Sequence, residues 1–283
     1  MASLRKLLVL LIIAPAWAIA GLAAADLPEG TVWYFHADLG ELRKSKAGRE
    51  LYRWLDGEVF VEIHEEIGID INKEADRVTA FSDGPRGAVI VVEGNISEDS
   101  RNKLMALAAA EAGLEAKSHK GKTYYHVHDS NGMRRGKGST VAAHEPFEDD
   151  AYFTFGVPGK LIVTSSAERM EAMLDSGGKI AGSGSHEGAL FVLTADKAFV
   201  QAGLDTNGLA DDDGDWESNI LRNTEQAAVL VADRDDMIAV EAQLVSSDPH
   251  MAESIGSIVN GLISLQALNS ELDPQLRSLI QNT

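Results

Sequence analysis

One pattern recurs three times along this 283-residue chain and restricts its folds more than any other feature: strand, tight turn, returning strand, helix. In Val78–Ala110 the strand Val78-Thr79-Ala80-Phe81 meets the turn Asp83-Gly84-Pro85-Arg86-Gly87. A second strand, Ala88 to Glu93, follows, and Asn95-Ile96-Ser97 opens a helix. Glycine and proline supply the backbone angles of the turn at little cost. Ser97 is placed to cap the helix, and Glu98 and Asp99 suit the positive end of its dipole.

Ala151–Leu174 has the same plan. Tyr152-Phe153-Thr154-Phe155 turns through Val157-Pro158-Gly159-Lys160 into Leu161-Ile162-Val163-Thr164. Ser165 and Glu168 have capping-box spacing. Met170, Met173 and Leu174 give the helix one apolar stripe. In Ala227–Leu268, Ala228–Val231 pairs across Asp233–Asp236 with Ile238–Leu244. Asp248 before Pro249 then predicts a helix start, with Met251, Ile255, Ile258, Val259 and Leu262 on its buried face.

Thr31–His36 and Ala189–Thr194 read as strands, each followed by an aspartate (Asp38, Asp196) and a helix. Tyr124-Tyr125-His126-Val127-His128 reads as another strand. Helices that follow antiparallel hairpins lie on one face of a sheet, so the expected class is α+β. The expectation is two sheet-containing lobes, 26–176 and 188–283, divided near the glycine- and serine-dense Gly177–Glu187. A short amphipathic helix, residues 274–281, is expected at the end, with Leu276, Leu279 and Ile280 on one side.

The first 25 residues have the layout of a secretory signal peptide. Arg5 and Lys6 precede an apolar run from Leu7 to Ala25, which closes on Ala23-Ala24-Ala25 before Asp26. The mature protein is therefore expected to be exported, periplasmic or secreted, with no membrane span of its own. Losing two cations and no acid takes the formal charge from −19 to −21. Such a surface repels phosphate backbones and anionic headgroups, which argues against nucleic acid as a partner. The chain has no cysteine, so disulfides and thiolate metal sites are excluded.

The stretches Leu27-Pro28-x-Gly30-Thr31 and His36-Ala37-Asp38-Leu39 resemble a group of uncharacterised exported bacterial proteins. Gly68-Ile69-Asp70-Ile71, Asp76-Arg77-Val78-Thr79, Gly121-Lys122-Thr123-Tyr124 and Leu161 to Glu168 are similar to that group too. The resemblance covers most of residues 27–200. It implies an exported chain of strand-strand-helix units, brings no catalytic residue, and gives His126 and His128 no role.

For chemistry, His126 and His128 are the strongest candidates. Alternate strand residues share a face, so two imidazoles at i and i+2 can grip one zinc or copper ion if a third ligand joins them. His36, His119, Asp129 and His144 are the available donors by composition. The acidic loop Asp205–Glu217 suits calcium by composition, but its spacing fails the EF-hand template: Leu209 and Ile220 fall where ligands belong. Gly182-Ser183-Gly184-Ser185-His186 lacks the strand and helix of a nucleophile elbow. The basic stretch Met133–Gly138 offers a dock for an acidic partner. The reading that follows is a non-enzymatic envelope or secreted protein that binds a protein or a small molecule. The alternatives are a metal-dependent activity at His126 and His128, and a structural subunit of an envelope assembly.

Overall fold

A computed structural model describes residues 27–248, apart from 129–149, 181–188, 201–221 and a few shorter breaks. The expected leader, the calcium-type loop, the basic stretch, Asp129, His144 and every helix expected after Asp248 lie outside the described residues.

The fold is α+β. Ten strands form one antiparallel sheet in the order β10-β9-β8-β1-β2-β3-β7-β6-β5-β4. They are β1 (Trp33–Asp38), β2 (Ala75–Ser82), β3 (Val89–Gly94), β4 (Gly113–His119) and β5 (Lys122–His128), followed by β6 (Asp150–Thr154), β7 (Lys160–Thr164), β8 (Ala189–Asp196), β9 (Thr224–Arg234) and β10 (Met237–Ser246). The helices described in full are α1 (Leu39–Lys44), α2 (Arg49–Leu55), α3 (Ile71–Glu74), α4 (Glu98–Glu111) and α5 (Ala167–Asp175). A π-helical turn, Asp56–Phe60, continues α2.

The three hairpins stand where expected: β2–β3 before α4, β6–β7 before α5, and β9–β10. The sheet itself does not divide near residues 177–187. β8, beyond that point, pairs with β1 through Phe35↔Leu193 and its neighbours, so the strands on either side of it share one sheet. The physical reason is that β1 is an interior strand with two free edges, which β2 and β8 both fill.

Nor do the helices share one face. Strand side chains alternate between faces. Tyr34, Val91, Tyr152, Ile162 and Val192 pack with Met170, Met173 and Leu174 of α5. Their neighbours Phe35, Val92, Phe153, Leu161 and Phe191 pack with Leu39, Phe60, Leu104 and Met105 on the other side. The central strands are apolar at consecutive positions, and such strands need cover on both faces. Burying a side chain such as Ile162 or Met170, both wholly enclosed, stabilises the fold by roughly 1.5–3 kcal/mol.

Local chemistry fixes the helix starts. Asp38 accepts from the Glu41 amide at 2.8 Å, and Ser97 Oγ accepts from the Ser100 amide at 3.1 Å. Ser166, one residue later than expected, caps α5 by accepting from the Arg169 amide. Ser165 Oγ is instead occupied by the Ala88 amide at 3.0 Å. Arg169 Nε donates to Asp83 at 2.8 Å, tying α5 to the β2–β3 turn. The Glu74 carboxylate accepts from Ser97 and Ser100 hydroxyls at 2.9 and 2.8 Å, which locks α3 against the start of α4.

Candidate functional sites

Strands β4, β5 and β6 bring the sequence candidates onto one face. Register sets Glu115, His126 and Tyr152 side by side, and Gly113, His128 and Asp150 in the next row. His126 stacks on Tyr152, with ring centroids 4.5 Å apart and planes 4° from parallel. Its Nε2 lies 2.5 Å from Asp150 Oδ1, and its Nδ1 lies 3.7 Å from Glu115 Oε2. The His126 and His128 rings are 5.3 Å apart. Among the described residues, the Nδ1 atoms of both are buried without a hydrogen-bond partner. The His128 ring fills the space that a side chain on Gly113 would need, since a Cβ there would fall 2.2 Å from His128 Cε1.

The structure does not bring His36 or His119 to this pair. His36 Nδ1 is 2.8 Å from Thr79 Oγ1 in the middle of the sheet. His119 Nε2 is 2.9 Å from Asp175 at the end of α5. As the side chains stand, no three His, Asp or Glu groups among the described residues surround a common point.

The β4–β5 turn grips the C-terminus of α5. Lys120 and Gly121 both have positive φ, 48° and 80°, as a two-residue hairpin turn of this hand requires. Lys122 Nζ donates to the Leu174 carbonyl at 2.6 Å, and Lys120 Nζ to Asp175 at 2.7 Å. Cations suit the negative end of a helix dipole. The hydrogen bond from Lys120, and then that from His119, holds the Asp175 carboxyl below its usual range. An open cleft of about 390 Å³ lies here, lined by His119, Lys120, Lys122, Leu174 and Asp175. Its cations are committed to the helix end, so the cleft is a structural joint.

The opposite face, at the other end of the sheet, carries a surface that composition does not reveal. Cross-strand partners share a face. One row runs Phe35, Leu193, Val229, Ala242 across β1, β8, β9 and β10. The row on one side is Ala37, Phe191, Val231, Val240, and on the other Trp33, Ala195, Ala227, Leu244. These rows contain no polar or charged side chain. Ala37 and Ala195 in them are buried, and Phe35 and Phe191 pack against the core, so the open part lies toward Leu193 and Leu244. Leu193 is 44% exposed and Leu244 37%, and Phe199, 42% exposed, adjoins Trp33 at 6.0 Å. The signal was in the sequence as the odd-numbered residues of Phe191–Ala195 and Ala227–Val231, but only pairing shows that they align.

No helix among the described residues is long and apolar enough to cross a membrane. No family model matches the chain, and no curated protein matches it. Among solved structures it is similar to one titled "Structure of crystal form I of TP0453", at a TM-score of 0.46 and 12% identity. That match covers 89% of this chain and 86% of the other. A likeness this distant carries no argument here.

Proposed function

We propose that this is an exported, non-enzymatic protein of the envelope or the medium that works by binding, through the apolar face of β8, β9 and β10. The carrying observation is the uncharged surface around Leu193 and Leu244, partly exposed among the described residues of a chain of formal charge −19. Leaving such a face in water forgoes roughly 25 cal/mol for each Å² of apolar area. Contiguous apolar patches of this kind on soluble proteins mark interaction sites. The partner class follows from charge. Acidic surroundings disfavour phosphate-rich partners, and the face offers no group to hold a polar small molecule. Its partner is a protein that presents an uncharged apolar surface.

The test is a photo-crosslinking residue at position 193 of the full-length chain, expressed with its own leader. A heterologous adduct that Leu244→Asp abolishes, and that the same label at exposed Val61 does not form, supports the reading. Adducts confined to this chain itself, within one molecule or between two copies, would overturn it.

A further inference from the structure

We propose that the β4–β5–β6 end of the sheet is a site for one transition-metal ion, zinc(II) or copper(II), held by Glu115, His126 and His128 and steadied by Asp150. It sits on the face opposite the apolar surface and at the far edge of the sheet, β4 rather than β10. The two proposals therefore stand or fall separately.

Two imidazole nitrogens lack a hydrogen-bond partner among the described residues. Burying a polar nitrogen without a partner costs about 1–3 kcal/mol, yet His126 and His128 each bury an Nδ1 in that condition. The bond from His126 Nε2 to the Asp150 carboxylate assigns an N–H to Nε2, so that in the neutral ring the lone pair lies on Nδ1. A ligating histidine whose other nitrogen donates to a carboxylate is the usual arrangement behind a metal, because the carboxylate sets the tautomer and the ring orientation.

The two rings already have the spacing of a pair on one ion, and Glu115 must turn to complete the set. Two imidazoles on a tetrahedral zinc, with Zn–N near 2.0–2.1 Å, hold their ring centres about 5.2 Å apart; here they are 5.3 Å apart. Two ligand atoms on such an ion lie about 3.4 Å from each other; Glu115 Oε2 and His126 Nδ1 are 3.7 Å apart, too far for a hydrogen bond. Glu115 is 61% exposed on an edge strand and pairs with Lys117 at 3.4 Å, so a rotamer change brings its carboxylate to the ion. Gly113 leaves the His128 ring room to lie close against β4. Two histidines and one carboxylate leave a coordination position for water, as in open zinc sites, and imidazole with carboxylate suits zinc and copper.

The test uses the full chain, purified without affinity metal or chelator and titrated with zinc sulfate or copper sulfate alone by calorimetry and native mass spectrometry. One equivalent should bind. Glu115→Gln and His128→Ala should each weaken binding at least tenfold, and Asp150→Asn 10–100-fold. Glu115→Gln alters an exposed residue and preserves the fold, which circular dichroism verifies, so its result stands even where a histidine variant unfolds. Absence of a stoichiometric adduct, or a folded Glu115→Gln chain that binds as tightly as the parent, would overturn the site.

Discussion

The imidazole of His126 lies flat on the ring of Tyr152, 4.5 Å between centroids, because pairing of β5 with β6 sets the two residues directly opposite. Aromatic pairs of this kind add about 0.5–1.5 kcal/mol beyond burial, and the bond to Asp150 adds a comparable amount. His126→Ala should therefore cost about 2 kcal/mol in urea unfolding. His126→Phe keeps the stack and should recover about half of that. Equal losses for the two variants would show that the stack contributes nothing.

Gly113 and His128 compete for one volume. Gly113→Ala places a methyl 2.2 Å from His128 Cε1 and 2.5 Å from its Nε2, so the ring must leave. Overpacking of this type costs about 1–3 kcal/mol. The double variant Gly113→Ala, His128→Ala should be more stable than the sum of the single effects requires, with a coupling of at least 0.5 kcal/mol. Strict additivity in a double-mutant cycle would deny the contact.

Burial pushes the Tyr34 hydroxyl from its ordinary 10.0 up to about 12. A raised folded-state value stabilises the fold in full below the unfolded pKa and loses that contribution as pH rises through the folded one. Stability of the native chain should therefore fall between about pH 10 and pH 12 more steeply than that of Tyr34→Phe. Denaturant midpoints across that range measure it. Parallel curves would mean that Tyr34 ionises alike in both states.

The hairpins and their helices were legible because their punctuation is local: Asp83-Gly84-Pro85 and Pro158-Gly159 turn the chain, and strand alternation brackets them. β4 was not legible. Leu114 is its only large apolar residue, as suits an edge strand, and its turn is made by Lys120-Gly121, a pair without a strong turn signature. The single sheet was hidden for a different reason. Pairing of Phe35 with Leu193 spans more than half the chain, and no local pattern announces it. Placement of helices on both faces follows from the same blindness, since Ile90-Val91-Val92 is apolar whichever side is covered. The histidine pair was visible as a spacing. Its Asp150 and Glu115 neighbours were not, because each comes from a different strand.

The same limit governs the apolar face, whose twelve positions come from four strands. If that face is a binding surface, its exposed residues contribute little to folding. The most direct measurement is thermal unfolding of full-length Leu193→Asp and Leu244→Asp, paired with crosslinking at the residue left unchanged. The account predicts unfolding temperatures within a degree or two of the parent, about 0.5 kcal/mol or less, with loss of the heterologous adduct. A fall of ten degrees or more in either variant would contradict it, because a charge that unfolds the protein has entered its interior.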